Sequence, residues 1–148
     1  MAMTATDFPF CQKLLRTMRR KSRGKDINEI IEKWLKPRLE LECQRLDLPE
    51  SFISSVQGIY PRLFHYSSLC KPVQQNGKVI AVTIHIGSDN RSQWTALMHF
   101  WHELRHAKDY YEGKPPSEAK AYFYMLRRCF VELLAKASPW QLIHRSKT

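Results

Sequence analysis

The chain has 148 residues, 43% of them apolar and 11% aromatic, which suits one domain with a packed core and excludes wholesale disorder. Lys and Arg number 24 against 14 Asp and Glu, and the resulting charge of +10 points to a strongly solvated surface or to acidic partners. No apolar run approaches the ~18 residues of a membrane span, and Met1–Phe10 lacks the basic-then-apolar order of a secretory signal, so a cytoplasmic protein with no membrane contact is expected.

In chain order, Phe8 to Arg20 carries Phe10, Leu14, Leu15 and Met18 at helical spacing. Lys13, Arg16, Arg19, Arg20, Lys21, Arg23 and Lys25 form a basic run without an acidic residue. Two readings stay open for that run: a solvated helix face, or a contact for nucleic acid or another acidic partner. Asp26 is a candidate N-cap with Glu29 three residues on, as in a capping box. The helix it opens places Ile27, Ile30, Ile31, Trp34 and Leu35 on one face until Pro37 kinks or ends it. The pattern resumes through Leu39, Leu41 and Leu46 as far as Pro49.

The period then changes. Tyr60 to Tyr66 reads as a short aromatic strand. Cys70 to Gln75, Asn76-Gly77 and Lys78 to Ile86 read as a hairpin, because Asn-Gly suits the two positive-φ positions of a type I′ turn. The second arm, from Val79 to Ile86, is rich in β-branched residues. Arg91 to Tyr111 is helical, with Trp94, Leu97, Met98, Trp101 and Leu104 as its apolar stripe. Gly113 and Pro115-Pro116 stop it, and Ser117 can cap a last helix that runs to about Ala137. The expected architecture is a single α+β domain with a short antiparallel sheet: a basic helical region over 1–50, a core over 60–137 and a tail over 138–148. Cys11, Cys43, Cys70 and Cys129 lie far apart with no CxxC pair, which argues against a zinc finger and for reduced thiols.

One motif carries chemistry. His102-Glu103-Leu104-Arg105-His106 is an HExxH. On a helix, residues i and i+4 lie one turn apart and about 40° round the axis, so both imidazoles can hold one Zn²⁺. Glu103 falls beside them, within reach of a metal-activated water, as a general base. Both histidines lie at the edge of the apolar stripe and not within it, which suits a cleft. A third protein ligand is required. Glu112 has metzincin spacing, but Asp109 occupies the position where those chains need a turning Gly, and a continuing helix rotates Glu112 about 240° from His106. Glu132 lies deep in the last helix. Glu118, in the first turn after the Gly-Pro-Pro reversal, can approach the histidine face.

His102-Glu-x-x-His106 followed by Ser117-Glu118-Ala119-x-x-Tyr122 resembles a gluzincin, and the short chain and spacer resemble the minigluzincins, small intracellular metallopeptidases described as latent zymogens. The resemblance covers Val79 to about Ala137 and implies a small zincin-like domain built from an upper-rim strand, an active-site helix and a glutamate helix. It implies His102, His106 and Glu118 as zinc ligands and Glu103 as general base and acid. It also implies that the strand Val79–Ile86, with Val82, Ile84 and His85, binds an extended peptide or protein substrate by β-addition at a free edge. The basic N-terminal region has no counterpart in the resemblance.

Further residues are read beside the motif. His99 lies on the ligand face, as a substrate contact, a residue behind the ligands, or a hydrogen-bonded cleft histidine. Tyr122, one turn after Glu118, supports an oxyanion or packs between the helices, and Tyr110 is a weaker version of the same idea. His85 lines the cleft or is a satisfied structural histidine, and His65 sits in a strand-like segment. The tail Trp140–Thr148, with His144, can occupy the cleft of a second copy and hold a homo-oligomer latent, as the resemblance suggests. The expected activity is zinc-dependent peptide hydrolysis. A nucleic-acid-associated SprT-like protease and a non-catalytic, zinc-stabilised basic binding module are the alternatives.

Overall fold

A computed structural model describes residues 26–59, 68–87 and 92–137. The expected helix over Phe8–Arg20, the basic run, the aromatic segment Tyr60–Tyr66 and the tail lie outside those residues, with Cys11, His65 and His144.

The described chain opens as read: the Asp26 side chain accepts from the Asn28 N–H at 3.2 Å and starts helix α1, Ile27–Ile30. Pro37 neither ends the helix nor simply kinks it. Lacking an N–H, it forces the ladder to change step, through a π-turn over Ile31–Leu35 and a 3₁₀ turn over Lys36–Arg38 into helix α2, Leu39–Arg45. That phase slip corrects two expected core positions. Ile27, Ile30, Ile31 and Leu35 are buried, whereas Trp34 is 43% exposed and Leu41 48% exposed, and Glu42 and Cys43 turn inward instead. Glu42 is fully buried, 2.8 Å from Arg45 Nη1 and 3.4 Å from Arg128 Nε.

Three strands follow: β1, Ile53–Ile59; β2, Ser68–Gln75; and β3, Lys78–Gly87. The turn between β2 and β3 is as read, with φ of 51° at Asn76 and 75° at Gly77. The sheet differs from the expectation. Its order is β1-β3-β2, and β1 runs parallel to β3, so it is mixed and not antiparallel. β3 is therefore the central strand, hydrogen-bonded on both sides, with no free edge for peptide addition; among the described residues the edges belong to β1 and β2. Val82 and Ile84 are fully buried. Gly58 of β1 lets α1 approach closely, since a Cβ there would lie 2.9 Å from Ile27 Cγ2.

Val82, Ile84 and Ile86 of β3 pack onto helix α3, Gln93–Tyr111, which is capped by Ser92. Leu97, Met98, Trp101 and Leu104 are buried as expected, and Trp94 is partly buried against the core. Ala96, Phe100 and Ala107 are buried too, because α3 is covered by the sheet and also by helix α4, Glu118–Ala137. The fold is α+β. Among the described residues no helix is long and apolar enough to cross a membrane, and Cys43, Cys70 and Cys129 are buried.

Candidate metal centre

Three ligand side chains meet between α3 and α4. His102 Nε2 and His106 Nε2 are 3.0 Å apart, one helical turn having stacked their rings edge to face with centroids at 4.7 Å. Glu118 reaches them from the first turn of α4, with Oε2 at 3.1 Å from His102 Nε2 and Oε1 at 3.1 Å from His106 Nε2. Both imidazoles are buried while the Glu118 side chain is 52% exposed, so the cluster opens to solvent on the α4 side.

The donor set fits a zinc ion. Tetrahedral bonds of about 2.0–2.1 Å put neighbouring ligand atoms roughly 3.3 Å apart, close to the separations found here. Two neutral imidazoles bring one ring hydrogen each, enough for the two contacts to Glu118 but not for the 3.0 Å approach of the two Nε2 atoms as well, which a shared cation would account for. Burial pushes the His102 imidazole down to about 4; the charge of His106 acts the same way, and the Glu118 carboxylate opposes both. His106 is lowered as well, mainly by burial, against Glu118 and Asp109. Both rings are thereby held neutral, the form in which histidine ligates metal.

Two contacts explain how Glu118 arrives there. Gly113, at φ 68°, turns the chain out of α3. Asp109, which is 1% exposed, then accepts from the Ser117 N–H at 3.0 Å and ties the start of α4 to α3. Ser117 caps α4 as expected, its Oγ accepting from the Lys120 N–H at 3.4 Å. The two rejected carboxylates are engaged elsewhere: Glu112 with Lys108 and Lys114, Glu132 with Arg38 and Arg128.

Glu103 is only 4% exposed and faces β2. The Ser68 hydroxyl donates to its Oε1 at 2.5 Å, and the Cys70 backbone N–H also bonds to it. Burial raises its carboxyl to about 7 against the Ser68 bond, and the Glu118 charge adds to the rise. Tyr122 stacks edge-on against His102, with ring centroids 4.7 Å apart. Tyr110 is partly buried against the core, its hydroxyl made less acidic by burial first and then by Cys70 and Glu103.

The proposed substrate contacts on β3 are not at the site. Val82 and Ile84 point into the core. His85 alternates with Ile84 and Ile86 and so lies on the opposite face of the sheet from α3, its imidazole lowered by burial and by Lys71. His99 does reach the site, 3.1 Å from Ser68 through Nδ1. From the sequence alone, Ser68, Cys70 and Asp109 carry no role at the site. The register pairs Ser68 with Ile86 and Cys70 with Ile84, which turns both toward α3, and only the fold supplies that register. No protein-family model, curated protein or solved structure matches this chain, so its site is read from its own residues.

Proposed function

We propose that the protein is a zinc metallopeptidase of the gluzincin type, acting on a peptide or protein inside the cell. The observation that carries the reading is the convergence of His102 Nε2 and His106 Nε2, 3.0 Å apart, on the Glu118 carboxylate, each 3.1 Å from a different one of its oxygens, with Glu103 next to His102 on the same helix. His102, His106 and Glu118 would hold the zinc, which would serve as a Lewis acid toward a scissile carbonyl and an attacking water. Glu103 takes a proton from the attacking water and returns it to the leaving amine, a task suited to a carboxyl raised toward neutrality. Tyr122 is the candidate partner for the oxyanion. An extended substrate pairs with the edge of β2, which no other described strand covers and which touches Glu103.

One observation favours a second reading, a zinc-stabilised binding module without activity. Glu103 is buried and tied to β2 by two hydrogen bonds, as a structural carboxylate would be. Elemental analysis and cleavage of labelled casein separate the two. About one zinc per chain, weakened in Glu118→Ala, together with cleavage abolished in Glu103→Ala, supports the peptidase. Zinc without cleavage supports the module, and no zinc uptake removes both.

A further inference from the structure

Ser68 touches two side chains of α3 at once. Its Oγ lies 2.5 Å from Glu103 Oε1 and 3.1 Å from His99 Nδ1. His99 and Glu103 are four residues apart and share a helix face, and the edge strand bridges them. When Glu103 is ionised, as a general base must be, the hydrogens of this chain have one order. An ionised carboxylate only accepts, so the single hydroxyl hydrogen goes to Glu103, and the remaining contact needs the hydrogen of His99 on Nδ1. The order is His99 Nδ1–H to Ser68 Oγ, then Ser68 O–H to Glu103 Oε1.

We propose that Ser68 is the positioning residue for Glu103 and that His99 locks Ser68 in place; this rests on the reading of Glu103 as the proton carrier. A glutamate on a helix has several freely rotating bonds, and ordering them opposes any fixed geometry. Holding Oε1, beside the bond from the Cys70 N–H, restrains the orientation of the carboxylate. His99 stops the hydroxyl from turning away. The hairpin thus sets the aim of the carboxylate while α3 and α4 hold the metal ligands, which separates orientation from metal binding.

The test uses the full chain loaded with zinc, as wild type, Ser68→Ala and Ser68→Thr, with labelled casein as substrate. In Ser68→Ala, kcat falls roughly 10–100-fold, with KM and zinc content unchanged; the retained zinc reports an intact fold. Ser68→Thr, which keeps the hydroxyl, restores most of the rate. Equal kcat in wild type and Ser68→Ala overturns the proposal. A second readout needs no turnover. Long-range nitrogen–proton NMR finds the His99 hydrogen on Nδ1 in wild type and loses that preference in Ser68→Ala. A wild-type His99 with its hydrogen on Nε2 overturns the chain of bonds. A wild type that holds zinc and cleaves nothing removes the peptidase reading and with it the role of Ser68 in catalysis, while the His99 signal still tests the His99–Ser68 bond separately.

Discussion

The carboxylate of Asp109 accepts from the backbone N–H of Ser117 at 3.0 Å, across the reversal between α3 and α4. Asp109 follows His106 by three residues, and Ser117 precedes Glu118 by one. A single hydrogen bond therefore fixes the spacing between the HExxH histidines and the carboxylate on the returning helix. Arg105 holds the other oxygen at 3.0 Å and keeps Asp109 aimed.

Removing that clasp weakens metal binding more than it weakens the fold. Asp109→Ala leaves His102 and His106 in place but frees the start of α4. Zinc affinity, measured by competition with a chelator, falls roughly 10–100-fold, while the metal-free protein loses about 1–2 kcal/mol, the scale of a lost cap. Asp109→Asn, which keeps an acceptor oxygen, recovers most of the affinity. Equal zinc affinity in Asp109→Ala and wild type removes the clasp from the account.

The metal-free protein has a stability profile set by groups with opposite signs. Glu103 is raised from 4.5 to about 7, so its contribution is fully present below 4.5 and is lost as pH climbs through 7. At 1.36 kcal/mol per unit the loss is about 3 kcal/mol. His102 is lowered from 6.5 to about 4, so its contribution is present above 6.5 and is lost as pH falls toward 4. Urea denaturation with chelator present finds Glu103→Gln more stable than wild type above pH 7 and close to it near pH 4. A constant difference across that range contradicts the burial of an ionisable Glu103.

Glu42 is a structural counterpart to the site. Fully buried, it is shared by Arg45, Arg128 and, at 3.6 Å, Arg38. Arg128 and Arg38 also sit over the ring of Trp101, at 5.3 Å and 5.9 Å from its centroid. Glu42→Ala leaves the buried Arg128 with Glu132 alone and destabilises by about 3 kcal/mol, within the range for a broken buried pair. Thermal melts read this directly, and zinc stoichiometry at low temperature stays unchanged.

Chelation gives the last prediction. At free zinc about 100 times Kd, metal binding adds about 2.7 kcal/mol, several degrees in Tm for a chain of this size. His106→Ala abolishes that increment, and calorimetry with and without chelator measures it. An increment that survives in His106→Ala places the metal elsewhere.

The parts of the molecule legible in the sequence are those specified over short spans. Asn76-Gly77 announced the hairpin, Ser117 the cap, and the i, i+4 spacing the meeting of His102 with His106. Glu118 followed from the chain reversal before it. The sheet was not legible to the same degree. A bulge between Ile53 and Ser55 breaks the alternation of β1 and leaves Ile53 and Val56 as its buried pair, so period two never shows. The phase slip around Pro37 misplaced Trp34 and Leu41 for a similar reason: a strict helical period does not survive a π-turn. Ser68 and Glu103 are 35 residues apart, and no local pattern joins them.

The central place of β3 also orders events in time. Its bonds to β2 close across a two-residue turn, a microsecond event. Its bonds to β1 join segments more than twenty residues apart and wait on a slower loop closure. The hairpin can thus form as a platform for α3, with β1 and the α1–α2 segment docking afterwards. In the native state the amides of β1 then exchange with solvent through smaller openings than those linking β2 to β3. Native-state hydrogen exchange checks this: the amides that link β2 to β3, the half of the sheet that holds Ser68 against Glu103, are expected to be the slower to exchange.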